Sequence, residues 1–139
     1  MIDKYLGKFS PQFYALLRIV AGFMFFLHGT QKFFSFPPSG KPPMPLNALM
    51  TVGGAIEIIA GLMVMIGLFA GLAAFIASGE MAVAYFMVHQ PMGPLPIQNG
   101  GELAAIFCFV FLYIAATGSG VWSVDSALRN ASASRAVDV

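Results

Sequence analysis

The stretch 46–68, LNALMTVGGAIEIIAGLMVMIGL, constrains this chain more than any other. At about 1.5 Å of rise per residue it is long enough to cross a bilayer. It nevertheless carries an ionisable residue, Glu57, near its middle. A carboxylate at that depth costs about 2.5–3.5 kcal/mol on insertion scales, so it has to face protein or water rather than lipid. Gly53, Glu57 and Gly61 follow one another at i, i+4 and i+8, on one helical face. Small residues on both sides of the acid let neighbouring helices approach it closely. The rest of the chain reads as a shell around this buried acid.

The composition agrees. Hydrophobic residues make up 58% of the 139 positions and charged residues only 9%. Soluble domains average about 25% charged residues, so the chain is read as an integral membrane protein of one domain, 1–139. The net charge of +1 comes without a basic block, which excludes a nucleic-acid partner. Cys108 is the single cysteine. That rules out an intramolecular disulfide and a Cys-x-x-Cys redox centre. Lys4 and Lys8 precede an apolar run as in a signal peptide, but the run is long and no small-residue cleavage site closes it. It is read as a retained membrane helix.

Hydrophobic patterning predicts four helices, at about 13–34, 46–68, 72–89 and 102–116. A polar lead, 1–12, precedes them, with Pro11 suited to a helix start. The tail 123–139, rich in Ala and Ser, is expected to be flexible. The connection at 69–71 is too short for anything but an antiparallel hairpin. The expected fold is therefore all-α: an integral membrane four-helix bundle, up-down-up-down. Lys4, Lys8, Arg129 and Arg135 lie on the side of the termini. Only Lys41 lies in the opposite loops, with Lys32 just inside helix one. The positive-inside rule then places both termini in the cytoplasm. The two proline-rich loops, with prolines in 37–45 and 91–96, are extracytoplasmic and expected to form stiff caps over the bundle mouth. Trp122 falls where an interfacial anchor belongs.

Each of helices two, three and four holds one glutamate in or at the edge of its span: Glu57, Glu80 and Glu102. Helix one supplies Arg18, His28 and Lys32, on or beside a stripe that also holds Gly22, Phe25 and Gly29. His89 ends helix three, and Asn99-Gly100-Gly101-Glu102 is a helix-start signal whose glycines permit close backbone approach. Arg18, His28, Lys32, Glu57, Glu80, His89, Asn99 and Glu102 are thus the candidate ligand- or proton-binding pocket, a polar column running inward from the outer loops. In this reading Glu57 and Glu80 face each other across the bundle axis, and because Arg18 and Lys32 lie toward opposite ends of helix one, the two acids are expected to share one proton near the middle. The competing reading is that the charges merely pair and fix helix register. No His pair has metal-ligand spacing on one helix, so no metal is expected. His28 and His89 are read first as hydrogen-bonded histidines near the interface. Phe23, Phe25 and Phe26 are read as core or lipid-facing. No flavin, haem c or iron–sulfur motif is present, so no cofactor is encoded by motif.

The ordered set Arg18…Gly22…His28-Gly-x-x-Lys32, Gly54-x-x-Glu57-x-x-x-Gly61, Glu80-Met81…Ala84-Tyr85…His89, Asn99-Gly-Gly-Glu102 and Gly118-x-Gly-x-x-Ser-x-Asp125 resembles the DoxX family, over residues 14–125. The resemblance implies a small four-helix protein of the bacterial inner membrane. The family takes its name from a subunit of a thiosulfate:quinone oxidoreductase, and other members are linked to membrane oxidoreductase complexes and oxidative-stress handling. What it implies here is an accessory membrane subunit of a quinone-linked oxidoreductase system. Its expected partners are the lipid bilayer, a bound quinone or small molecule, and redox-complex subunits or further copies of itself. A small-molecule or proton pathway and a structural or assembly role stay open beside it. A quinone-dependent thiol oxidase is excluded, because that reaction needs a cysteine pair and Cys108 is alone.

Overall fold

The computed structural model describes residues 1–38, 40 and 45–137, and every regular element among them is helical. Helix α1 (Ile2–Leu6) runs through a 3₁₀ turn, Gly7–Phe9, into α2 (Ser10–Phe34), so the polar lead is itself helical. Pro11 sits in the first turn of α2, where its missing N–H is not required. Helix α3 (Ala48–Ile66) starts at Asn47, whose side chain accepts the Met50 N–H at 2.9 Å. It stops at Gly67, which takes the left-handed conformation at φ +73°. Helix α4 (Ala70–Ala84) continues into a π-helical turn, Tyr85–His89, and a 3₁₀ turn, Gln90–Met92. A single-turn helix α5 (Pro96–Asn99) leads to α6 (Glu102–Thr117). The tail is not irregular: it forms helix α7 (Val124–Val137). Of the expected caps, 91–96 is ordered by these short turns, while 39 and 41–44 lie outside the described residues.

Three helical runs are long and apolar enough to cross a membrane: Ile2–Phe34, Ala48–Ile66 and Ala70–Met92. Helix α6 is apolar but only 16 residues long. It spans about 24 Å, short of the roughly 30 Å of a hydrocarbon core. Large apolar side chains such as Ile59, Leu72, Phe75 and Phe109 point outward, as lipid contact requires.

Helices α2 and α3 pack antiparallel and very closely, because glycines meet backbone. A Cβ on Gly22 would lie 2.5 Å from Met65 N, one on Gly29 2.7 Å from Gly54 O, and one on Gly61 2.6 Å from Phe26 N. Gly22 and Gly29 of the helix-one stripe form this seam, while Phe25 of the same stripe faces α6. Helix α4 packs antiparallel on α6, where Ser78 Oγ donates to the Cys108 carbonyl at 2.8 Å. Between the two pairs, the rings of Phe25 and Phe111 stand 4.7 Å apart and those of Phe107 and Phe111 are stacked at 5.4 Å. Of Phe23, Phe25 and Phe26, Phe25 is core and Phe23 is exposed.

The end of the bundle that holds the termini is tied by two polar groups. Arg18 is fully buried and donates to the Val64 carbonyl at 2.6 Å, to Met65 at 2.9 Å and to Trp122 at 2.7 Å. These are carbonyls of the last turn of α3, where Val64 also accepts the Gly67 N–H at 3.2 Å, and of the segment leading to α7. Asp125 accepts the Phe69 N–H at 2.9 Å and a hydrogen bond from Ser119, fastening the α3–α4 turn.

Candidate functional site

The opposite end of the bundle holds a cavity of about 630 Å³. Four segments meet there: the last turns of α2, the first half of α3, the end of α4 with its π turn, and the start of α6. The polar wall comes from His28, Lys32, Glu57, Glu80 and His89, and the rest is almost wholly apolar. Lys32 bends inward from the end of α2 so that Nζ lies 2.8 Å from Glu57 Oε2. The lysine is partly exposed, whereas Glu57 is only 3% exposed. The competing reading of charge pairing is therefore realised for these two residues.

Glu80 is not accounted for in that way. A Cβ on Gly53 would lie 3.0 Å from Glu80 Oε1 and 3.7 Å from Lys32 Nζ. The missing side chain of Gly53 is thus what admits the carboxylate of α4 to the ion pair. Glu80 Oε2 is buried, and no hydrogen-bond partner for it exists among the described residues. One lysine faces two glutamates, a formal charge of −1 in an apolar cavity when all three are ionised. A buried polar oxygen without a partner is costly, and a ligand donor or a proton supplies what is missing.

His89 is brought in by the π turn. It lies nine residues after Glu80, which on an unbroken α-helix puts it about half a turn round the axis. The wider π turn over Tyr85–His89 takes part of that rotation back, and such turns recur at functional sites. His89 Nδ1 lies 3.2 Å from the Asn99 carbonyl, which can only accept. The ring therefore carries its hydrogen on Nδ1 when neutral and keeps Nε2 as an acceptor. Asn99 is itself fixed: Nδ2 donates to the Gly93 carbonyl at 2.9 Å, and Oδ1 accepts the Gly101 N–H at 2.8 Å. His28 stands edge-on to Phe107 at 6.1 Å.

Five of the eight residues singled out from the sequence line one cavity: His28, Lys32, Glu57, Glu80 and His89. Asn99 is buried behind His89 and holds it. Glu102 is exposed on the first turn of α6, where its charge faces the positive end of the helix dipole, and it does not line the cavity. Arg18 is at the far end of α2, occupied by backbone carbonyls. The apolar wall, including Ile56, Met81, Ala84 and Phe107, carried no signal in the sequence, because in a chain this hydrophobic such residues stand everywhere. Met81, next to Glu80 in the quoted motif, was the nearest to a clue.

A family profile described as DoxX matches residues 13–90. An uncharacterized protein of Haemophilus influenzae is 45% identical over 126 residues, 87% of this chain and 94% of that protein. The chain belongs to the DoxX family. No solved structure matches it. In this DoxX protein the matched segment holds every polar residue of the cavity wall, whereas Asn99 and Glu102 lie beyond it.

Proposed function

We propose that this DoxX protein is a quinone-binding accessory subunit of a quinone-linked oxidoreductase system in the bacterial inner membrane. In this reading α6 is a short fourth span, the bundle is up-down-up-down, both termini are cytoplasmic, and the cavity lies in the outer half of the bilayer. The observation that carries it is Glu80, whose buried Oε2 lacks a partner beside an ion pair that is already complete. Ion pairing alone explains Lys32 and Glu57 and leaves Glu80 without a reason.

The cavity fits a quinone. It has apolar walls for a ring and tail, and polar groups converge at one end, as small-molecule sites generally require. Lys32 would donate to a ring oxygen from the N–H groups not held by Glu57, and His89 Nε2 would accept from a ring hydroxyl. A bound quinone supplies two-electron, two-proton chemistry, with electrons passed to or from a partner subunit. The chain contributes positioning and protons. Glu80 holds a proton at Oε2, which neutralises the cluster and gives the site a group that can exchange with a ligand. Phe107, Phe25 and Phe111 close the cavity on the Arg18 side. That closure supports a blind pocket over a transmembrane pathway, because the polar groups do not continue through the core.

The test is equilibrium binding of a benzoquinone to the protein in lipid nanodiscs, for the wild type and for Glu80→Leu. The reading expects saturable binding that weakens by about tenfold in the variant, the loss of one hydrogen bond from a buried carboxyl. Equal binding in both, or none in the wild type, would contradict it.

A further inference from the structure

We infer that the ligand enters sideways from the bilayer, through the seam between α3 and α4, and that it is a neutral amphiphile whose tail remains in that seam. This deepens the quinone reading and rests on it. The argument begins with side chains that serve two surfaces at once. Val52 on α3 and Val83 and Met87 at the end of α4 line the cavity, yet they are 60%, 48% and 61% exposed. The cavity wall and the outer apolar surface are the same residues there.

The other walls are more closed, although Leu103 on α6 also lines the cavity and is 42% exposed. The α2–α3 seam is closed by glycine against backbone, since a Cβ on Gly29 would already lie 2.7 Å from Gly54 O. Where α4 meets α6, Ala73, Ala74 and Ala77 are buried at 2%, 0% and 0% exposure, and Ser78 is bonded to Cys108. The Arg18 side ends in the Phe25–Phe107–Phe111 stack. Between α3 and α4, by contrast, what fills the space over Gly53 is the carboxylate of Glu80, not an apolar side chain. A molecule lying in this seam has lipid-like surroundings along its length and Lys32, Glu57 and Glu80 at its inner end.

The charge of that floor selects the head. With Glu80 protonated the floor carries no net charge, and its one ammonium is already paired with Glu57, so no free cation is left to hold a phosphate and the anionic headgroups of bilayer lipids are disfavoured. A neutral head whose oxygens are carbonyls when oxidised and hydroxyls when reduced matches the ammonium and the carboxyl in the first form and the His89 acceptor in the second.

The experiment compares two probes in nanodiscs: a decyl-substituted benzoquinone and the same ring with methyl in place of decyl. Concentrations are expressed per lipid, so that partition into the bilayer is not counted as affinity. In the wild type the decyl compound should bind about tenfold more tightly than the methyl compound. In Val52→Trp and Val83→Trp the ratio of the two affinities should fall to about one. A quinone with a photoreactive diazirine midway along its tail, used on the wild-type protein, should label α3 and α4 at 49–56 and 83–88. Equal wild-type affinities, or labelling confined to 93–101, would place entry on the aqueous side and overturn the inference alone. If neither quinone binds, the functional reading fails with it. If the tryptophan variants change the oligomeric state and leave the affinity ratio intact, the seam is a contact between copies and the inference fails.

Discussion

Replacing Arg18 with methionine should unfold one end of this protein without touching the cavity. The guanidinium makes three short hydrogen bonds, to Val64 at 2.6 Å, Met65 at 2.9 Å and Trp122 at 2.7 Å. Hydrogen bonds from a charged donor contribute roughly 1.5–3 kcal/mol each, so the gross interaction is about 4–9 kcal/mol. Methionine removes a buried charge as well as the bonds, which returns several kcal/mol of desolvation. It nearly fills the volume but removes the side-chain donor from all three carbonyls, of which Val64 keeps the Gly67 N–H at 3.2 Å. The net loss is expected to be about 2–4 kcal/mol. For a chain of this length that lowers the melting temperature by on the order of 10 °C. Trp122 is the only tryptophan, and its own carbonyl is one of the acceptors. Its emission in detergent therefore reports the damaged end directly, and circular dichroism reports the whole helix content. Arg18→Lys should rescue only partly, because one ammonium cannot serve both the end of α3 and the segment at Trp122. An Arg18→Met protein that melts within about 2 °C of the wild type with unchanged Trp122 emission would refute the assignment of Arg18 to structure.

Gly22→Ala should cost about 1–3 kcal/mol in thermal unfolding, because the new methyl would meet Met65 N at 2.5 Å, while Gly7→Ala, with open space around it, should be neutral. Lys32→Met strands Glu57, only 3% exposed, and should destabilise by roughly 3–5 kcal/mol; adding Glu57→Gln to it should recover most of that in the same melting assay. Gly101→Ala would push Asn99 Oδ1 and Tyr85, at 2.8 and 2.7 Å, and so should weaken benzoquinone binding through His89 with little change in melting temperature. A protease-cleavable tag after Val139 should be protected in intact spheroplasts, and its cleavage from outside would reverse the orientation.

The seam between α2 and α3 was legible because Arg18, Gly22, Phe25, Gly29 and Lys32 recur with the helical period, and small residues on a period mark close packing. The inward turn of Glu57 and Glu80 was legible because charges inside apolar spans have to turn toward protein, but Lys32 was expected at the outer mouth, and its reach back to Glu57, which replaces the shared proton, was not. The role of Arg18 was not legible. Its acceptors are backbone carbonyls 46 and 104 residues away, and carbonyls leave no mark in a sequence. Glu102 was grouped with the pocket because it borders a span, whereas its place on the first turn of α6 satisfies it in solvent. The π turn at Tyr85–His89 also gave no signal, since neither glycine nor proline falls between Glu80 and Pro91. The tail was expected to be flexible from its Ala and Ser content; its helical form was legible in the same alanines, the strongest helix formers, and α7 extends to Val137.

The central claim is that Lys32, Glu57 and Glu80 form one ligand-holding cluster. The most direct measurement is the content of small molecules that travel with the protein from its native membrane. Wild-type protein extracted in mild detergent should carry quinone close to one per chain by mass spectrometry. Glu57→Gln, purified in parallel, should keep its helix content and lose the quinone. Quinone at the same ratio in both proteins, or no more in the wild type than in an unrelated membrane protein from the same cells, would contradict the account.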